Sequence, residues 1–497
     1  MKWSSLVLAT VAISFLNGVS EARSLSIGNL GYLERETKRF TPPLTAQENP
    51  IPDPEAADAE GNPPTRLDLK ECVDLGIRNA TDSLKATNNQ IYSGEALLQS
   101  YTQFLPKLDT LGSYSYTGGR NLTTIAGPTL IDSRNYGPSL SVIASLNLFN
   151  GLADIAQHSG ASKRKDAADL NLERVKQQIA LDVIQAYLQV VLDQDLVGIA
   201  GKNLAASYAQ LHLIEKSTEA GIRNKSDYYL QKAQTASDEA YYTSTQDKKR
   251  TDLLALVQRI RLDVKKNYTL VRPALPGEPR ADPKYALEND LVQMALKNRP
   301  DLKSFVQVAA ASHDDITIAN APYYPKLDLI FTGSDSGRHY DTLAIDGVDS
   351  IPPIQPAIWN QLGNQVNWVA MLTLNWNIFD QGLTRLSSSQ AKITADNADI
   401  DADDRQKQVE RDVRQALGDY RSALQQFASS QMGLQASQKA YQLMSGRYEV
   451  GAASVVDLLT AQTTVVRAEG SYVQSVIEYV LEGHAMEVAL GAFPKLN

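Results

Sequence analysis

Hydrophobic positions along this 497-residue chain follow two periods, and the change from one to the other is abrupt. From Tyr136 to Leu148 the even positions are Tyr136, Pro138, Leu140, Val142, Ala144, Leu146 and Leu148, while Ser139, Ser141, Ser145 and Asn147 fall on odd ones. A period of two predicts a strand with one apolar and one polar face. Past Asn150-Gly151 the spacing becomes three, four or seven through Val175, Ile179, Val183, Ala186, Val190 and Val197, and no proline intervenes between Pro138 and Pro273. That pattern predicts a long helix over about 152–220.

The same stretch occurs twice. A shift of 230 residues superposes Asn147 and Phe149 on Asn377 and Phe379, Asp182-Val183 on Asp412-Val413, and Gly221 and Asp227 on Gly451 and Asp457. Earlier in each copy the shift is 219, pairing Asn79 with Asn298 and Pro106-Lys107-Leu108-Asp109 with Pro325-Lys326-Leu327-Asp328. The chain reads as a tandem duplication, with an insertion of 11 residues between the two strands of copy two. Copy one spans 67–268, with a hairpin over about 107–149. Copy two spans 287–497, with a hairpin over about 326–379, and a proline-rich linker at 269–286 joins them. The insertion predicts a longer loop from about His339 to Gly363.

Both hairpins alternate. Leu108, Gly112, Tyr114 and Tyr116 oppose Asp109, Ser113, Ser115 and Thr117, and in copy two Val366, Trp368, Ala370, Leu372, Leu374, Trp376 and Ile378 oppose Asn367, Thr373, Asn375 and Asn377. The strand lengths suit a tilted membrane crossing of ~9 to 11 residues, and Tyr114, Tyr116, Tyr136, Trp368 and Trp376 suit interfacial aromatic belts. A half-buried sheet in a soluble domain has the same periodicity. Outside the signal no apolar run reads as a transmembrane helix, so a chain that crosses a membrane does so with strands. Four strands cannot close, because single-chain barrels begin at ~8; pooling three chains gives ~12 strands and an aqueous bore.

The predicted long helices, 152–220 and 384–448, are rods of ~100 Å at 1.5 Å per residue. Flanking helices at about 68–104 and 222–268 stack to a comparable length, and copy two repeats the plan from about 287–321. A coiled-coil or spectrin-like bundle is the alternative source of such stripes.

Met1 to about Ala22 reads as an export signal, with Lys2, an apolar core from Leu6 to Leu16, and small residues at Ser20 and Ala22. The apolar core is too short for a bilayer-spanning anchor, which needs ~20 residues. Residues 23–66, rich in Pro, Glu, Asp and Ala, predict an extended or disordered lead-in. The lone Cys72 gives no disulfide framework. A net charge of −9 argues against nucleic acid, which needs clustered Lys and Arg. His158, His212, His313, His339 and His484 lack metal-ligand spacing, and no phosphate loop or nucleophile elbow is present. No catalytic, metal or cofactor site is expected. Asp314-Asp315 and Asp403-Asp404 read as solvated helix charge.

Taken in order, these segments resemble the TolC family of outer-membrane efflux ducts over about 67–491. Phe104-Leu105-Pro106-Lys107-Leu108 and Tyr323-Tyr324-Pro325-Lys326-Leu327 are similar to that family's approach to the barrel, and Leu374-Asn375-Trp376-Asn377-Ile378-Phe379-Asp380 to its strand-to-helix exit. Arg447-Tyr448-Glu449-Val450-Gly451 through Val456-Asp457-Leu458-Leu459 and Ala461-Gln462 resembles its periplasmic turn. The resemblance implies an α+β membrane protein of a Gram-negative outer membrane, a homotrimer sharing a 12-stranded barrel above an α-helical tunnel. It implies a periplasmic adaptor and an inner-membrane pump as partners, in drug efflux or type I protein secretion. Pro106, Pro325, Phe149 and Phe379 would mark the barrel–helix junctions, and Gly221 and Gly451 the periplasmic turns. Asp457 would line the narrow entrance as a ring of carboxylates, or simply cap its helix. Thr460 stands where the family carries a second acidic ring. Tyr448 and Asp227 match a gate link whose arginine is Ala453 in copy two and Arg223 in copy one. A structural or adhesive coiled-coil protein of the envelope is the alternative function.

Overall fold

The computed structural model describes residues 64–123, 128–350 and 355–496. The expected signal, the lead-in through residue 63, and Pro352 and Pro353 of the expected loop lie outside the described residues. Copy one runs β1 (Thr65–Leu67), α1 (Leu69–Asn79), α2 (Thr81–Thr102), β2 (Lys107–Thr123), β3 (Thr129–Asn150), α3 (Ala153–Glu219) and α4 (Lys225–Arg259). A short strand, β4 (Tyr268–Leu270), follows. Copy two runs α5 (Glu288–Asn298), α6 (Pro300–Asn320), β5 (Lys326–Ser336), β6 (His339–Ile345), β7 (Val348–Asp349), α7 (Ile358–Gln361), β8 (Asn367–Asn375), α8 (Leu383–Glu449) and α9 (Val455–Ala489).

The two 67-residue helices, α3 and α8, are ~100 Å rods. Against α3 pack α1, α2 and α4 on one flank and α6 and α9 on the other, while α8 packs on α5, α6 and α9. The helical layer therefore has two open flanks, α1/α2/α4 at one end and α8 at the other.

Each upper helix expected as one piece is two. The chain breaks at Ala80 (φ −57°, ψ 139°) and at Arg299 (φ −60°, ψ 120°). Pro300 enforces the second break, since the residue before a proline is driven to extended backbone. The first break has no proline; Gly76 there fits α1 tightly against Val183 of α3, and an added Cβ would lie 2.7 Å from its Cγ2. The helix expected to reach residue 268 stops at Arg259, where Arg261 takes a left-handed φ of 55°. Beyond it β4 pairs in parallel with β1. Residues 65 and 66, expected in a disordered lead-in, and 269 and 270, expected in a linker, are thus strand. The Tyr187 hydroxyl, buried in α3, donates to the carbonyls of Leu67 and Val271 and pins this pair.

The strands form one antiparallel sheet in the order β2-β3-β5-β8. The expected long loop at 339–363 is built instead of structure: β6 pairs with the outer half of β3, from Ile131 opposite Ile345 to Tyr136 opposite His339, and β7 pairs with β6. β3 runs further outward than β5, and the inserted residues cover the edge it would leave bare. The register sets Leu108 opposite Ala144, Thr110 opposite Val142, Gly112 opposite Leu140 and Tyr116 opposite Tyr136 on one face. That face continues through Leu329, Phe331, Leu372 and Trp368. The opposite face carries Ser113, Ser139, Ser141, Ser334, Asn367 and Thr373.

By length and composition α3 is apolar enough to cross a membrane, contrary to the expectation that no such run exists. Its apolar residues Val183, Ile184, Leu188, Val190 and Val191 are buried and form the main core with Cys72, Leu256, Val257 and Ile260. Burial pushes the Cys72 thiol up to about 12, which keeps it protonated. A second core joins Leu291, Val292, Ala295, Val413, Leu417 and Met486. A third, of Ile214, Tyr448, Val455 and Leu458, sits at the far ends of the rods.

Candidate functional site

The two turns at those far ends are built alike. Gly221 and Gly451 both adopt φ +74°, and each turn closes with main-chain bonds from Ile222 to Ser217 and from Ala452 to Arg447. A left-handed residue there lets the helix end satisfy its last carbonyls and reverse, which glycine does without strain. The following helix starts differ. Ser454 and Asp457 form a reciprocal capping box: Ser454 Oγ accepts from Asp457 N at 3.2 Å, and Asp457 Oδ2 accepts from Ser454 N at 3.1 Å and from Ser454 Oγ at 2.8 Å. The Ser454 hydroxyl and amide, with Arg447 nearby, hold the Asp457 carboxyl below its usual range. Asp457 is exposed, so it caps its helix and still presents a negative charge to solvent. In copy one Asn224 makes no side-chain cap bond.

Arg223 crosses between the turns. Its guanidinium lies 4.1 Å over the Tyr448 ring, and its Nη2 donates to the Tyr448 carbonyl at 3.4 Å. The Tyr448 ring is buried, and its hydroxyl, near Gln210, makes no hydrogen bond of good geometry. Burial raises the hydroxyl's pKa, with Arg223 opposing and Asp227 reinforcing the shift. The arginine set against Tyr448 is thus Arg223 of copy one, while copy two carries Ala453 at the matching place. The structure brings Arg223 and Tyr448 together, and Asp227 acts on them through its charge. Thr460 is exposed and bonds back to the Val456 carbonyl at 2.8 Å, so it adds no charge at this end.

At the other end of the rods lie the four junction residues. Pro106 and Pro325 stand immediately before β2 and β5, beyond the ends of α2 at Thr102 and α6 at Asn320. Phe149 and Phe379 are exposed beside the strand-to-helix exits. There Gly151 and Leu152, and equally Gln381 and Gly382, are left-handed. The exits use swapped chemistry: Asn150 Oδ1 accepts from Asp154 N at 3.3 Å, while Asp380 Oδ2 accepts from Thr384 N at 2.6 Å.

One assembly had no forecast from the sequence. Arg299, 1% exposed at its side chain, binds Asp301 through Nε at 3.0 Å and Nη2 at 2.6 Å, and reaches Asp412 at 3.1 Å. Arg405 lies 2.6 Å and Arg174 3.7 Å from the Asp301 carboxylate, so three arginines surround one buried carboxylate where α3, α6, α8 and the end of α9 meet. Arg299 and its companions hold the Asp301 carboxyl well below the ordinary range against the cost of burial. A legible signal was Asn298-Arg299-Pro300-Asp301, which repeats Asn79-Ala80-Thr81-Asp82 with the arginine and proline added. Asp314 and Asp315, expected to be solvated, instead pair with Lys163 and Arg164 across α3 and α6. Asp403 and Asp404 do stay on the surface, bonded only to Lys407 of their own helix.

The outer membrane efflux protein family model matches residues 75–260 and 291–491, one segment for each copy. The chain belongs to this family. It is therefore an outer-membrane protein, its helical layer continuing below a barrel-forming sheet. Two curated relatives from Pseudomonas putida, the solvent efflux pump outer membrane protein SrpC and the toluene efflux pump outer membrane protein TtgI, are each 28% identical over 59% of this chain. The match spans 61% of their own length. Among solved structures, VceC from Vibrio cholerae aligns with TM-score 0.72 at 16% identity, covering 86% of this chain and 97% of that one. The CmeC channel of Campylobacter jejuni aligns with TM-score 0.68 at 17% identity, covering 86% and 87%. These likenesses establish the fold: a long-helix tunnel wall carrying strands of a shared barrel.

Proposed function

We propose that three copies of this chain form the exit duct of a tripartite machine, conducting cargo from an inner-membrane pump and a periplasmic adaptor to the cell exterior. The observation that carries this is the sheet. Its two open edges, β2 and β8, run in opposite directions, so β8 of one copy extends antiparallel onto β2 of the next. Its lipid-compatible face cannot sit in water, and open edges are not tolerated in hydrocarbon. Repeating the unit three times closes ~12 strands around a polar bore. The N-terminal signal would deliver the chain to the periplasm.

The duct is passive, without cofactor, metal or catalytic residue, and the pump supplies the energy. The solvent and toluene efflux relatives favour small apolar cargo over exported proteins. At the inner end, Asp457 from each copy forms a ring whose negative charge admits cations and resists anions, with Thr460 leaving it a single ring. Arg223 on Tyr448 ties the two turns of one copy and keeps that end narrow. The envelope coiled-coil alternative needs rods but no amphipathic sheet.

The test is conductance. Purified protein in planar bilayers should give small cation-selective currents, and Arg223→Ala should enlarge them. A cell lacking the gene should become sensitive to toluene. A protein that is water-soluble without detergent, or that leaves both bilayer current and solvent tolerance unchanged, would sink the proposal.

A further inference from the structure

The second copy carries its Arg299–Asp301 cluster in a fully walled site, and the first copy has the same site with one wall missing. Asp82 and Asp182 are the counterparts of Asp301 and Asp412 by the two repeat shifts. They line a groove of about 510 Å³ together with Ala80, Gln258, Arg259 and Arg261. Arg259 donates to the Asp182 carbonyl at 3.1 Å but reaches its carboxylate only at 3.8 Å, and Arg261 donates to the Asn79 carbonyl at 3.5 Å. In copy two the wall absent from copy one is α3, which contributes Arg174, bonded to the Val488 carbonyl at 3.1 Å, and Gln177, bonded to the Gly491 carbonyl at 2.9 Å.

The counterpart of α3 is α8, one of the two open flanks, and the counterpart of Arg174 is Asp404. Among the described residues Asp404 has no bond beyond its own helix, where Lys407 lies 3.7 Å away. A second observation gives the same alignment. The open flank of α2 exposes Leu84, Ile91 and Leu98, and α8 exposes Leu386, Ile393 and Ile400, each set spaced by seven residues. A seven-residue stripe is the seam of two packed helices. The helices run in opposite senses, so Leu98 meets Leu386, Ile91 meets Ile393 and Leu84 meets Ile400. That register carries Asp404 to the level of Ala80, at the mouth of the groove. Within one chain the corresponding α3–α6 contact has this register, since Lys163 Nζ reaches the Ala310 carbonyl at 3.3 Å and these are the counterparts of Ile393 and Ile91.

We infer that the groove at the copy-one break is a socket for α8 of the next subunit, with Asp404 of the partner subunit paired to Arg259 and Arg261. The first copy's site is complete only in the assembly. The inference rests on the trimer reading and specifies its contact, reversing the charge logic of copy two, where an arginine enters the corresponding position.

Two sets of variants of the full chain test it in detergent. Oxidation of the Ile91→Cys/Ile393→Cys protein should give disulfide-linked trimers on a non-reducing gel. The offset pair Leu84→Cys/Ile393→Cys, one heptad or ~10 Å out of register, should give none; native Cys72 is buried and stays unreacted. Arg259→Glu and Asp404→Arg should each lower the temperature at which trimers dissociate, and the double variant should recover most of the loss. Linking by the offset pair alone, or a double variant no better than the worse single one, overturns the contact while amine-reactive cross-linking of the unaltered protein still reports trimers. Failure of that cross-linking overturns the trimer itself.

Discussion

The two helix breaks below the barrel are the same device executed in different chemistry. At Ala80 the chain turns over an apolar core, with Cys72, Val183, Leu256 and Ile260 all fully buried. At Arg299 it turns around a buried cation held by two carboxylates. The backbone angles are nearly the same, so the geometry belongs to the duplicated fold and the chemistry to each copy's surroundings. Copy two's break is enclosed within its own chain by α3 and α8, and an enclosed site can hold ions because every charge finds a partner. Copy one's break faces an open flank and depends on apolar packing underneath.

The largest difference should appear on removing one member of the ionic site. Arg299→Ala leaves Asp301 buried with poorer pairing, and breaking such a pair costs ~3–5 kcal/mol. The midpoint of guanidinium denaturation in detergent, followed by circular dichroism, should fall accordingly. At the apolar break Leu256→Ala should cost about 2–5 kcal/mol through the cavity it leaves. If Arg299→Ala costs less than about 1 kcal/mol, well under the range for a broken buried pair, the cluster is not what holds copy two together.

Acid should separate the regions by sign. Asp301 has a depressed pKa, so its contribution is present above the ordinary carboxylate range of ~4 and is lost as pH falls below it. Asp193, between α3 and α4, behaves oppositely. Its side chain is 1% exposed, one oxygen has no partner, and burial beside Asp252 raises it to about 6 despite Lys248 at 3.0 Å. The α3–α4 contact is therefore free of penalty in acid and weakens as pH rises from ~4 through 6. Hydrogen exchange at about pH 4.5 and 7 should show α4 better protected in acid, and Asp193→Asn should abolish that difference. Equal protection at both values would remove Asp193 as its source.

A smaller effect belongs to one methyl group. Gly76→Ala should cost ~1–3 kcal/mol by overpacking, because its Cβ meets Val183. The counterpart position in copy two already carries Ala295, fully buried against the core that contains Val413. Unaltered stability in Gly76→Ala would mean that α1 can back away from α3 to admit the methyl group.

Much of this was legible in the chain. The period-two runs marked β2, β3 and β8, the repeated Pro-Lys-Leu-Asp marked β5, and the repeat shifts and glycines marked the long helices and their turns. What escaped were features decided by contact between distant segments. Nothing local in Tyr268-Thr269-Leu270 announces a strand; pairing with Thr65–Leu67 makes it one. β6 exists because β3 outruns β5. Arg299 is a charged residue in the interior, which composition and periodicity assign to the surface, and only its Asp301 and Asp412 partners make that burial tolerable. The Arg223–Tyr448 contact was half legible: both residues were named from the sequence, but their stacking across 225 residues of chain came from the fold.

The smallest difference lies at the periplasmic turns, where the copies share φ at Gly221 and Gly451 and diverge three residues later. Ser454 closes a capping box with Asp457, whereas Asn224 occupies the equivalent place without a side-chain bond. Loss of a working cap typically costs ~1 kcal/mol, so Ser454→Ala should destabilise the start of α9 by about that much, and Asn224→Ala should change α4 by only a few tenths. The readout is local amide exchange at residues 455–458 against 225–228. Because Asp457 is both cap partner and exposed charge, Ser454→Ala also frees its carboxylate to move. If the turn end is the constriction, cation selectivity should shift in this variant and hold steady in Asn224→Ala; identical selectivity in both would place the filter elsewhere along the bore.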